Sequence, residues 1–187
     1  AFTEYLPNNA LAAVADECLQ EVGAPKWDDA DYRMAKEFLN TYPATTLENI
    51  KSQIIETYGE DRLEEILERP LDSEIHPFNP DKIKLTAGST DVGDVSWNCP
   101  TAQAYVATWA AGTPGHSWQV VSQGKSGLAH KGLIYAAKAM AGAAVDMIED
   151  PEIIKEAWAE MEETLEGDTY HCPIPDGCKP RAIGMTK

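Results

Sequence analysis

Two polar, glycine-rich segments, GSTDVGDVSW (88–97) and AAGTPGHSWQ (110–119), enclose an apolar run over 102–111. The run predicts a buried strand, and the second segment predicts a loop that follows it, with His116 at its centre. Binding and catalytic residues concentrate on loops that a rigid scaffold holds in place. This arrangement favours a metal-dependent hydrolase over a globular domain without a site.

Two histidines are candidate metal ligands. A neutral imidazole is the commonest metal ligand, and His116 on a short loop after a strand would be rigidly aimed. The alternative is a loop histidine that is hydrogen-bonded to backbone. His130, in SGLAHKGL (126–133), begins a predicted long helix, where the helix dipole disfavours a protonated ring. Its alternative is an ordinary surface residue, so His130 is the reserve candidate.

A cluster of acidic and hydroxyl side chains precedes the apolar run: Ser89, Thr90, Asp91 and Asp94. The two carboxylates could coordinate a cation, orient a histidine ligand or bind a cationic group of a substrate. Spacing favours a simpler role for Asp91, which is placed to cap a helix that begins near Val92. Ser89 and Thr90 compete for the same capping position.

The composition of the 187 residues is that of one acidic domain: 43% are apolar, and the formal net charge is −16. A polyanion is repelled by nucleic acid phosphates and anionic lipids, so we expect neither nucleic acid nor membrane as a partner. No signal peptide or membrane-spanning run is evident. Four dispersed cysteines favour free thiols and a cytoplasmic location, although Cys172 and Cys178 could pair.

The hydrophobic pattern predicts a helix-rich α/β layer. Helices are predicted from Asn8 or Asn9 to Val22, after an Asp28 cap, from Thr45 or Thr46 to Gly59, over 61–68, after Gly127 and from Pro151. Strands are predicted only at 2–6 and 102–111, and residues 69–84 read as a loop or insertion. These strands are too few to complete a sheet, so we expect the chain to be part of something larger.

Several motifs together resemble a known enzyme family: YLPNNAL (5–11), STDVGDVSW (89–97), GTPGHSWQVVSQGKSGLAHKGL (112–133) with AAKAMA (136–141), and YHCPIP (170–175). In this order they are similar to the metallopeptidases that include aminoacylases, carboxypeptidase G and the indoleacetyl-amino-acid hydrolases. The resemblance extends over essentially the whole chain. The part of such an enzyme that the chain resembles is its C-terminal part.

The resemblance implies a phosphorylase/hydrolase-like catalytic domain with an inserted lid domain for dimerisation. Residues 1–23 would be the end of the lid and residues 24–187 the C-terminal half of the catalytic domain. It also implies two divalent metal ions, zinc or manganese, a glutamate general base, and cleavage of the amide of an N-acyl amino acid. His116 matches the family's last metal ligand, and Ser89, Thr90, Asp91 and Asp94 match a segment near the substrate.

The family's other ligands and its general base have no counterpart here, so no catalytic residue is assigned. The expected partners are the N-terminal half of the same enzyme, a small acyl-amino-acid substrate and a second subunit, identical or different. On this interpretation the chain alone is inactive. The alternative is a non-catalytic acidic module that shares the fold and binds a ligand or partner.

Overall fold

The computed structural model describes residues 3–81 and 90–179 of the chain. These residues form eight α-helices and one short 3₁₀ turn. In chain order the elements are α1 (Asn9–Val22), α2 (Asp29–Leu39), α3 (Ala44–Tyr58), the turn Glu60–Arg62, α4 (Leu63–Glu68), α5 (Val92–Ser96), α6 (Trp118–Gln123), α7 (Gly127–Glu149) and α8 (Pro151–Leu165).

The helices begin and end where local chemistry predicts. Asp28 caps α2 in a capping box, since its carboxylate accepts hydrogen bonds from the backbone of Ala30 and Asp31 while the Asp31 side chain accepts from Asp28 N. Gly59 follows α3 with φ of 88°. Pro151 opens α8 after Asp150, whose side chain accepts from Glu152 N. The sequence predictions for these helices are confirmed to within a few residues.

The chain divides into two compact units. The described parts of the first unit are residues 3–13, 78–81, 90–103 and 147–179, and the second unit comprises Val14–Pro77 and Ala104–Asp146. The expected lid boundary at residue 23 stays a prediction, and so does the α/β catalytic domain. Of the predicted loop over 69–84, residues 69–81 are irregular, and residues 82–84 lie outside the described residues.

The predicted strand over 102–111 is wrong for the described chain, which contains no strand. The segment is mostly exposed or half-buried, and Tyr105 is 87% accessible. A strand needs a neighbour to complete its hydrogen-bond ladder. Here the Ala110 N–H donates to the Gln123 side chain at 2.8 Å, and the Ala111 N–H donates to Pro70 O at 2.8 Å. Residues 3–6 likewise form no strand, and Phe2 lies outside the described residues.

Two apolar clusters form the core of the second unit. Ala35, Leu71, Ala110, Leu128 and Ala129 make one of them. The other packs α3 against the end of α2 through Leu39, Tyr42, Ile50 and Ile54. Within residues 3–81 and 90–179, no helix is long and apolar enough to cross a membrane.

Candidate functional site

His116 lies on the loop before α6, and its backbone is left-handed with φ of 54°. This conformation is uncommon for a residue with a Cβ, and such residues concentrate at functional sites. The side chain is exposed. Among the described residues its imidazole has no hydrogen-bond partner, so the alternative of a histidine bonded to backbone is wrong. Both ring nitrogens are open to a ligand.

A buried network of polar side chains supports the loop at 110–117, which carries His116. The Gln123 side chain has no exposed surface; its amide oxygen accepts from Ala110 N, and its Nε2 donates to Thr113 Oγ1 at 3.0 Å. Thr113 Oγ1 also donates to Ala110 O at 2.7 Å and shares a 2.6 Å hydrogen bond with Tyr42 OH. Burial raises the pKa of Tyr42, which keeps its hydroxyl protonated. The backbone is thereby fixed three residues before His116.

The other end of the loop is fixed by Ser117, which caps α6. Its Oγ accepts from Val120 N at 3.3 Å and donates to Pro114 O at 2.6 Å. His116 therefore lies in a short segment whose two ends, Thr113 and Ser117, are held by hydrogen bonds. An exposed imidazole on a rigid support is the geometry that a metal ligand or a catalytic base requires.

His130, the reserve candidate, lies in the first turn of α7 and is exposed. Its backbone N–H donates to Ser126 O at 3.2 Å. The next residue, Lys131, pairs with both Asp28, at 2.7 Å, and Asp31. These ion pairs tie the start of α7 to the start of α2.

Asp94 has a structural role in the first unit. Its Oδ1 accepts from Thr3 N at 2.9 Å and from Thr3 Oγ1 at 2.7 Å. These hydrogen bonds lower the pKa of Asp94, chiefly through the Thr3 backbone N–H. Gly93 allows the close approach, since a Cβ there would lie 2.3 Å from Thr3 O. The carboxylate thus ties the segment before α1 to α5.

The neighbouring candidates differ from the sequence prediction. Asp91 precedes α5 but makes no side-chain capping bond, so the predicted Asp91 cap is wrong. Thr90 Oγ1 accepts from Val92 N at 3.3 Å instead. The backbone of Asp91 is already helical, with φ of −67° and ψ of −13°, whereas a residue whose side chain caps a helix normally has an extended backbone. Ser89 lies outside the described residues.

The predicted site residues fall in different units: His116 and His130 belong to the second, and Thr90, Asp91 and Asp94 to the first. Within residues 3–81 and 90–179, no group of three His, Cys, Asp or Glu side chains could hold a metal ion. Nor does that part of the chain hold a buried side-chain polar atom without a partner. The described residues therefore do not by themselves fit a metal pair, and His116 would be one ligand among others supplied from elsewhere.

A cavity of about 290 Å³ opens in the second unit. Its walls come from α2, α3, the 3₁₀ turn, α4 and the segments 69–74 and 107–112. Arg69 lies 3.7 Å above the Tyr32 ring on one side. Arg62 is bound by Glu74 at 2.7 Å and Glu65 at 2.8 Å, which raises its pKa. The lining contains both cations and carboxylates, so it selects neither an anion nor a cation.

Tyr58, Asp72 and His76 form a hydrogen-bonded cluster beside this cavity. His76 Nε2 lies 2.8 Å from Asp72 Oδ2 and 3.0 Å from Tyr58 OH. Burial, and then the charge of Asp72, raise the pKa of Tyr58 to about 12. Asp72 also bonds to Glu74 N at 3.0 Å, and its carbonyl accepts from Trp27 Nε1 at 2.7 Å. The hydrogen bonds of this cluster thus fix the segment after α4.

Sequence reasoning missed the Gln123–Thr113 network and the Tyr58–Asp72–His76 cluster. The first had a usable signal, because Gln119 and Gln123 are spaced i, i+4 on a helix whose other residues are mostly apolar. The second had none, because its members come from α3 and an irregular segment.

The chain is similar over nearly its whole length to a hydrolase subunit. The relative is the B subunit of p-aminobenzoyl-glutamate hydrolase from Escherichia coli (strain K12), with 37% identity over 186 residues. The match covers 98% of this chain and 38% of the relative, of which it is a C-terminal part. The predicted resemblance to the C-terminal part of a larger hydrolase is thereby confirmed. The chain spans about two-fifths of the length of the curated relative that it matches.

No family model matches the chain. No solved structure matches it either.

Proposed function

We propose that this chain is the C-terminal portion of a metal-dependent amidohydrolase that cleaves the amide bond of an N-acyl amino acid such as aminobenzoyl-glutamate. The observation that carries the proposal is the 37% identity to a hydrolase subunit across 98% of the chain. Two divalent ions, zinc or manganese, complete the proposed enzyme, which acts in the cytoplasm.

His116 is the proposed metal ligand of this portion. Three features support that role: an exposed imidazole, a left-handed backbone and the anchored ends of its loop. A single imidazole does not retain a metal pair, because catalytic sites of this kind need several protein ligands per ion. The remaining ligands and the general base are therefore assigned to the N-terminal half of the enzyme.

The relative is named a subunit, and we propose that this protein also works in an assembly, as a homodimer or with a different second subunit. This proposal assigns a supporting role, not that of metal ligands, to Thr90, Asp91 and Asp94. Asp94 Oδ1 is held by Thr3, so this carboxylate would shape the region rather than bind a metal.

The test uses the complete native polypeptide that contains this chain. His116→Ala is expected to reduce the metal content measured by inductively coupled plasma mass spectrometry. It should also slow the release of aminobenzoate from aminobenzoyl-glutamate by about 100-fold or more. The wild-type protein, measured in the same way, sets the reference for both quantities.

His171→Ala is the matched control, because His171 is also exposed and lies in the irregular C-terminal tail. It should leave the metal content and the rate unchanged. His130→Ala tests the reserve ligand in the same assay. If His116→Ala retains full metal and full activity, the ligand assignment is wrong, and wild-type protein that binds no metal would favour the non-catalytic module.

A further inference from the structure

α7 is apolar on nearly all sides. Between Gly132 and Val145 its sequence is GLIYAAKAMAGAAV, with Lys138 as the single charged residue. A helix on the surface of a globular protein normally carries polar side chains on its outer face, whereas one that is apolar all round is normally buried. The composition of α7 is thus that of an interior helix.

One face of α7 is covered within the second unit. Its buried residues are Leu128, Ala129, Gly132, Tyr135 and Ala139. Gly132 allows the closest approach, since a Cβ there would lie 2.1 Å from Ala107 O. The Tyr135 hydroxyl donates to Leu19 O at 2.8 Å, which fixes α7 against α1.

The other face is uncovered and equally apolar. Leu133 is 59% exposed, Ile134 53%, Met140 73% and Val145 50%. Ala137, Ala141 and Ala144 are exposed between them. We call these seven residues the outer face of α7. A contiguous apolar surface of this kind marks a region that another protein surface covers.

We infer that the outer face of α7 is the docking surface for the N-terminal portion of the same enzyme. The inference rests on the proposed function, in which this chain is the C-terminal part of a longer protein. The 187 residues match only 38% of the relative, so most of that protein lies outside the match and is available to cover the face. The occupant is an apolar layer, for which we propose the face of a β-sheet.

Side-chain size and charge both favour this occupant. The three alanines of the outer face lie four and then three residues apart, so a flat sheet can come close to the helix backbone along one line. A second copy of the chain is the competing occupant, and the test below separates it by its dependence on protein concentration. A nucleic acid or an anionic membrane is disfavoured, because the chain carries a formal charge of −16.

The test measures the reactivity of single introduced thiols in the complete native polypeptide. Met140→Cys is treated with a maleimide, and modification of its peptide is followed over time by mass spectrometry. We expect it to react at least about tenfold more slowly than Gln53→Cys, an exposed position of α3. In guanidinium chloride the two thiols should react at equal rates, which corrects for intrinsic differences. Ala144→Cys provides a second probe of the same face.

Equal rates for Met140→Cys and Gln53→Cys in the native protein would overturn the inference. Protection that disappears on dilution, together with dissociation of a dimer in ultracentrifugation, would assign the face to a second copy and also overturn it. The result is independent of the catalytic proposal. A protein that hydrolyses no acyl-amino acid can still protect Met140→Cys, and an active one can leave it exposed.

Discussion

The loop at 110–117 and the segment around α5 both carry predicted site residues, but they use their polar groups in opposite ways. Below His116, the polar contacts are made by Gln123 and Thr113, and the imidazole itself is left without a described partner. In the α5 segment, the predicted site residue Asp94 makes the structural contacts itself. One region therefore leaves the imidazole of its predicted site residue available, whereas the other uses its predicted site residue in a structural contact.

This difference separates the proposed ligand His116 from the structural side chain of Asp94. The Asp94 carboxylate accepts two hydrogen bonds from Thr3 at Oδ1, so it already serves a structural contact within the first unit. An imidazole held by its backbone alone keeps both nitrogens available. Residue type could not separate the two, because histidine and aspartate serve either purpose.

The largest expected effect is the removal of the network below His116. Gln123→Ala removes the acceptor of the buried Ala110 N–H and one of the hydrogen bonds to Thr113 Oγ1, and we expect a loss of about 3 kcal/mol in the free energy of unfolding. Urea denaturation followed by circular dichroism measures it. Gln53→Ala, the same substitution at an exposed helical position, should change stability by less than about 0.5 kcal/mol. Equal effects would mean that the network does not hold the loop.

A smaller effect is expected for Asp94, which lies in the first turn of α5. The folded protein lowers the pKa of Asp94, so its carboxylate stabilises the fold above its ordinary pKa of 3.8, and this contribution is lost as the pH falls below that value. Asp94→Asn should therefore lower the melting temperature at about pH 7, and the difference from wild type should shrink towards about pH 3. Thermal melts of both proteins across this pH range measure the difference in melting temperature.

Asp91→Asn is the matched control for this prediction, because Asp91 lies three residues away and makes no side-chain capping bond. Its melting temperature should follow that of the wild type at each pH. A gap for Asp94→Asn that grows as the pH falls would contradict the assigned role. The nearby Tyr170 stays protonated throughout, since burial and its neighbours raise its pKa to about 12.

The smallest effect concerns the backbone of His116. A left-handed residue with a Cβ is strained by about 1 kcal/mol, so His116→Gly should be more stable than His116→Ala by about that amount. At Ser122, an exposed position within α6, the order should be reversed, because glycine weakens a helix by about 1 kcal/mol relative to alanine. Urea denaturation of the four variants measures both orders, and a His116→Gly variant less stable than His116→Ala would exclude the left-handed conformation.

Much of the helical structure could be predicted from the sequence because helices depend on local signals. The Asp28 cap, the Gly59 stop and the Pro151 start act within one turn of chain, and all three are confirmed. Local signals of this kind could not predict whether residues 102–111 form a strand. An apolar run is compatible with a strand, but forming one depends on a neighbour that the sequence of the run does not contain.

The sequence by itself determined where the helices lie, the acidic charge and the resemblance to the hydrolase subunit, because these depend on short-range chemistry and on residue identity. Only the tertiary structure decided that Asp94 is bound to Thr3 and that the His116 imidazole has no hydrogen-bond partner among the described residues. Each of these outcomes depends on which distant atoms lie within about 3 Å of a polar group. That distance is set by packing, so no local pattern specifies it.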